Sequence, residues 1–233
     1  MDLTDNNPLA GVGPDGAMAN TGALESQLVA LEDRLRELPR EAPAGEAAAI
    51  NLEMGRTLLG LGRNQEAWNV VRPAFDVFLQ ARDWQRAVEA CDVLFLSEQA
   101  DSLSALGQGI WLGVTFPIDP ELTLNMLHHV IEETPDESDG AAVAAATAAY
   151  VADLRAPEDQ QGNLMFFANQ MLGNVARRHS DVQSQGQFDL WMERLELNDP
   201  QKFLVRLRNV VDVLVQDDWW FDREQLQQTL PVN

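Results

Sequence analysis

The chain has 233 residues, 45% of them hydrophobic and 23% charged. That is the composition of a folded chain, with length for one large domain or two small ones. Sixteen basic residues stand against 37 acidic ones, a net charge of −21 that keeps the surface solvated and repels phosphate backbones and anionic lipid. Nucleic acid and membrane surfaces are thereby excluded as expected partners, whereas basic proteins, arginine-rich segments and metal ions are not.

Residues 1–22, rich in Gly, Pro, Asn and Asp, read as a disordered acidic tail. They show neither a basic n-region nor an apolar h-region, so no secretion signal is expected and the expected location is cytoplasmic. In "ALESQLVALEDRLREL", Leu24, Leu28, Leu31, Leu35 and Leu38 alternate at spacings of four and three, a narrow helical stripe that predicts a first helix packed on the body. After the break "PREAPAG" (39–45) a second helix is predicted over 46–61, with Ile50, Met54, Leu58 and Leu61 on one face and Gly62 as its terminator. The third, 65–80, is apolar over most of its circumference, and Pro73 inside it predicts a kink or restart near Arg72. The fourth runs from Trp84 to Leu96.

A pattern repeats here. "LGRNQEAWNV" at 61–70 is answered by "ARDWQRAVEA" at 81–90: a turn residue (Gly62, Arg82) stands five places before an alanine (Ala67, Ala87), with a tryptophan nearby. Twenty residues is one helix plus one turn, and a small residue in the first turn lets a helix cross its predecessor closely. Successive antiparallel helices stacked in this way form an α-solenoid or bundle. Residues 51–74, "NLEMGRTLLGLGRNQEAWNVVRPA", resemble a tetratricopeptide repeat, with Gly55, Leu58, Gly62, Ala67 and Ala74 at that family's small and apolar positions. Asn51 stands where the family usually has tryptophan, no proline closes the unit, and a 34-residue period does not recur. The resemblance implies helical hairpins with a peptide-binding groove.

Further helices are predicted at 100–114, 120–133, 138–155, 158–178, 184–196, 199–215 and 222–229. Asp119-Pro120 and Asp199-Pro200 each place an N-cap before a proline at the first helical position. "TPDE" (134–137) and "SQGQ" (184–187) have capping-box spacing. The alanine-rich "DGAAVAAATAAYVADLRA" favours helix and close packing on both sides, and the charge-free run 102–118 is too short and too polar to span a bilayer. No strand is predicted. The expected fold is all-α, a tetratricopeptide-like solenoid or bundle of about ten antiparallel helices. A soft boundary divides a repeat-like region (23–134) from a C-terminal helical region (135–233) packed on it.

Chemistry-bearing residues are few. In "HHVIEE" (128–133), His128 with Glu132 and His129 with Glu133 are four apart, each pair on one helical face; they are metal candidates without a visible third ligand, and solvated His–Glu pairs look the same. His179 follows Arg177 and Arg178 at a helix end, where positive charge complements the helix dipole. The single cysteine, Cys91, excludes an intramolecular disulfide and reads as a small buried hydrophobe. Lys202 is the only lysine and lies in a plain helical pattern. No phosphate loop, nucleophile elbow, HExxH or dinucleotide fingerprint is present. Catalysis and a cofactor are not expected.

Two features point to a protein or peptide partner. Arg56, Arg63, Arg72, Arg82 and Arg86 form the one basic-leaning stretch, suited to a carboxylate on an acidic peptide; Leu52 and Arg56 replace the lysine–asparagine clamp of some tetratricopeptide proteins. In "DDWWFD" (217–222), Trp219, Trp220 and Phe221 are consecutive and cannot all point inward from one regular element. They serve either as an exposed anchor or as a segment folded back over the end of the core.

The expected function is a non-catalytic scaffold or adaptor, with an assembly chaperone for a multisubunit or cofactor-containing redox enzyme as the alternative. For the latter, size, acidity and "TPDESDGAAVAAATAAYV" (134–151) resemble the TorD/NarJ family of redox-enzyme chaperones, without that family's Asp-His pair. A helical metal enzyme using His128, His129 or His179 is the third reading.

Overall fold

The structure is a computed structural model; it describes residues 14–228 and 230, with the backbone alone for 14–19. The described residues form eleven α-helices and no strand: α1 (Pro14–Glu37), α2 (Ala44–Gly60), α3 (Asn64–Ala81), α4 (Trp84–Leu96), α5 (Ser102–Thr115), α6 (Pro120–Glu133), α7 (Asp139–Arg155), α8 (Gln161–Ser180), α9 (Gln185–Arg194), α10 (Pro200–Val215) and α11 (Arg223–Gln227). The fold is all-α, as the periodicity predicts. No helix among the described residues is long and apolar enough to cross a membrane.

The expected turn chemistry is present at most boundaries. Asp119 and Asp199 accept from the backbone N–H of Glu121 and Gln201, each with proline opening the helix. Ser184 and Gln187 form the reciprocal capping box. Gly62, at φ +70°, closes α2: its N–H reaches the Leu59 carbonyl while the Arg63 N–H reaches Leu58. The same pair of bonds closes α3 around Arg82, from Arg82 N–H to Leu79 and from Asp83 N–H to Phe78. The two copies of the repeated turn therefore share one C-capping motif. The alanines that follow, Ala67 and Ala87, are wholly buried.

Three expectations are corrected. Helix α1 begins at Pro14, so 14–22 belong to a helix rather than to the tail, while 1–13 lie outside the described residues. Proline is tolerated there because its missing N–H falls in the first turn, where no intrahelical partner exists. Pro73 does not restart α3, which is continuous from Asn64 to Ala81. "TPDE" is not a capping box. The Thr134 hydroxyl donates back to the Val130 carbonyl at the end of α6, and Ser138 caps α7 by accepting from the Gly140 N–H.

Each helix from α1 to α8 packs on the next, and the even-numbered helices also touch in series, α2 on α4, α4 on α6 and α6 on α8. That is the contact pattern of stacked helical hairpins. Close approach depends on small residues: a Cβ on Gly55 of α2 would lie 2.2 Å from a Val71 methyl, and one on Gly109 of α5 2.3 Å from Met126. Leu28 and Leu31 of α1 bury against Ile50, Met54 and Leu58. The main core is one cluster from Ala48 to Val215, running through both predicted regions. Helix α10 turns back from the stack and packs on both α5 and α7. A Cβ on Gly107 would lie 2.6 Å from Val215.

Candidate partner-binding face

Helices α3 and α5 lie on either side of α4 in sequence and share an aromatic face. Trp68 and Phe75 project from α3 and Trp111 from α5; Phe75 is fully buried and the tryptophans are half-buried. Arg72, one turn after Trp68, joins them. The chain after α10 crosses this face as an irregular strand of residues, 216–222, before the short α11.

Its backbone is held by one buried amide. Gln108 of α5 is fully buried; its Nε2 donates to the Asp218 carbonyl at 3.0 Å, and its Oε1 accepts from the Trp220 N–H at 3.0 Å. The Ser104 hydroxyl donates to the same carbonyl at 3.3 Å. A glutamine amide in these positions reads peptide backbone as a neighbouring strand would. Leaving it unpaired in an apolar setting would cost about 1–3 kcal/mol per group.

The side chains complete the contact. Trp220 packs edge-on to Trp68 (6.2 Å) and Phe75 (5.3 Å), with the Arg72 guanidinium 4.0 Å from its ring centroid. Phe221 meets Trp111 at 5.3 Å, and Trp219 meets Trp111 at 6.2 Å beneath Arg223, itself 4.0 Å away. Arg223 pairs with Asp212 of α10 at 2.8 Å. Since 219–221 is not regular helix or strand, its three rings diverge, and each finds partial cover. None is fully buried. Of the two readings of "DDWWFD", the fold-back onto the core describes the contact. At the entry, Gln216 (φ 51°) and Asp217 (φ 67°) are consecutive non-glycine residues in the left-handed region, a conformation that costs about 1–3 kcal/mol each.

The other arginines proposed for a partner are engaged elsewhere. Arg56 pairs with Glu89 of α4 at 2.8 Å, and Arg63 grips Glu66 through two bonds of 2.7 and 2.5 Å. The hydrogen bond from Arg63 holds the Glu66 carboxyl below the usual carboxylate range. Arg72 also bonds Asp76 at 2.8 Å. Arg72 thus joins Trp219, Trp220 and Phe221 in one place, and Arg56 and Arg63 lie outside it. Sequence reasoning missed Gln108, Ser104 and Trp111. The available signal was a lone glutamine inside the apolar run 102–118, which needs a buried partner.

The histidines have local partners. His128 lies 3.7 Å from Glu132 and meets Phe167 edge-on. His129 lies 3.2 Å from Asp92 of α4 and 3.8 Å from Glu132 rather than against Glu133, with its ring tilted against Phe95. Among the described residues no three His, Cys, Asp or Glu side chains are placed to hold a metal ion. His179 accepts at Nδ1 from the buried Trp191 indole N–H (3.2 Å) and faces Asp139 with Nε2 at 3.1 Å. Asp139 also binds Arg206, so this group ties together α7, α8, α9 and α10. Cys91 is fully buried, and desolvation pushes its thiol far above the ordinary range. Lys202 pairs with Glu196 on the surface at 2.5 Å.

No family model, curated protein or solved structure matches this chain.

Proposed function

We propose that the protein is a non-catalytic adaptor of tetratricopeptide-like hairpins, which holds a segment of another protein on its helical surface. One observation supports this reading above the others. The α3–α5 face already grips a non-helical segment through ring packing, a guanidinium over an indole, and an amide bonded to backbone on both sides. Backbone hydrogen bonds for affinity with side-chain contacts for specificity are a recurring way of holding an extended peptide.

The test is affinity capture from native lysate, comparing the wild-type chain with Arg72→Glu and Arg56→Glu variants of unchanged helicity. The adaptor reading expects a folded, stoichiometric partner that is lost with Arg72→Glu. A partner captured only in unfolded form would favour the assembly-chaperone alternative. Turnover of a small molecule by the purified chain would contradict both.

A further inference from the structure

The C-terminal segment covers the α3–α5 face as a short irregular stretch outside the helical stack. Its hold is made of separate non-covalent contacts: three half-buried rings, the Arg72 guanidinium over Trp220, the Arg223–Asp212 ion pair, and the Gln108 and Ser104 bonds to its backbone. Its entry, Gln216 and Asp217, is a pair of left-handed residues in which Gln216 caps the end of α10 and the chain turns sharply onto the face. Beneath it lie Phe75 and the Gln108 amide, both covered by the segment, so an open face would expose a ring and an amide that call for another occupant. Backbone-directed bonds from Gln108 read no sequence, while Arg72 and the flanking rings select an aromatic side chain.

We infer that residues 216–228 act as a hinged strap, and that the α3–α5 face accepts in its place an extended partner segment bearing adjacent aromatic side chains. This rests on the adaptor reading only for the existence of a natural partner. The chemistry of the occupant is displayed by the strap: a Trp-Trp-Phe run whose backbone N–H and carbonyl meet one glutamine.

The experiment uses the full chain and a fluorescein-labelled peptide of residues 217–226 as probe. While the strap occupies the face, the probe pays for displacing it, so apparent affinity is reduced by the fraction of open molecules. Trp220→Ala loosens the strap and leaves the face intact; it is expected to bind the probe at least about tenfold more tightly than wild type in fluorescence polarisation. Adding Gln108→Ala to that variant is expected to lose about tenfold or more again. In the wild-type chain, saturating probe is expected to accelerate hydrogen exchange across 216–228 and leave α4 unchanged.

Equal probe binding by wild type and Trp220→Ala would overturn the strap, as would exchange at 216–228 that ignores the probe. Loss of helical circular dichroism in Trp220→Ala would do the same, by showing the segment to be permanent core. A concentration-dependent dimer formed by Trp220-bearing chains, with straps swapped between copies, would reassign the occupant to a second copy. Probe binding without any captured lysate partner would keep the strap and discard the adaptor reading; a captured partner without probe exchange would do the reverse.

Discussion

Arg82 sits at φ 57° in the capping position that Gly62 fills one helix earlier. The hydrogen bonds are the same in both turns, so the arginine carries a backbone strain that the glycine avoids. Its side chain is exposed and does not offset that strain by burial. Arg82→Gly is therefore expected to stabilise the chain by about 1 kcal/mol, read as a shift in the urea midpoint at unchanged slope. A lower midpoint would show that Arg82 makes a stabilising contact in solution. The thiol of Cys91 presents the opposite situation, a reactive group silenced by place. Burial disfavours its thiolate, so iodoacetamide at mildly alkaline pH is expected to leave it unmodified until denaturant is added. Rapid labelling of the folded chain would contradict its position between α4, α5 and α6.

At the scale of elements, the starts of helices were legible because a cap is a local event. Asp119, Ser184 and Asp199 bond to backbone within three residues of themselves, and the residue types announce it. Ends were placed as closely, but what closes several of them was not legible, because it is arginines from elsewhere in the chain. Arg155 of α7 donates to the carbonyls of Gly113 (2.7 Å), Val114 (2.5 Å) and Phe116 (3.0 Å) at the end of α5. Arg178 reaches Ile131 at the end of α6, and Arg206 reaches Leu195 just past α9. A planar fork can bridge neighbouring carbonyls as a single ammonium cannot, which gives a structural use to a chain whose basic residues are arginine in all but one case. Arg155→Lys is expected to lose about 2 kcal/mol in thermal or urea unfolding despite keeping the charge. A neutral result would mean that water caps α5 equally well. "TPDE" misled because its spacing is right while Thr134 is already committed to the preceding helix.

For the whole molecule, the repeated turn and the apolar stripes disclosed a stack of hairpins, since each such contact joins neighbours in sequence. What they did not disclose is how the stack is closed. Gln108 meets Trp220, and Gly107 meets Val215, across more than a hundred residues of intervening chain, and periodicity carries no information on such pairs. The aromatic run 219–221 was recognisable as unusual, but only the arrangement of α3, α5 and α10 shows where it rests. Gly107→Leu should push α10 off α5, because the atoms it would meet are a branched side chain, a Cβ and the backbone oxygen of Val211 rather than a flexible tip. The expected loss is about 1–3 kcal/mol, accompanied by faster hydrogen exchange in α10 and 216–228 than in α4. Uniform exchange across the chain would indicate that α10 and the stack unfold as one unit.

Nuclear Overhauser contacts from the Trp220 indole protons report most directly on the closed face from which the binding proposal starts. Cross-peaks to the Phe75 ring and the Arg72 side chain are expected, and they should vanish when saturating 217–226 peptide displaces the segment. A Trp220 indole with solvent-like shifts and no contact to either residue in the free chain would contradict the account.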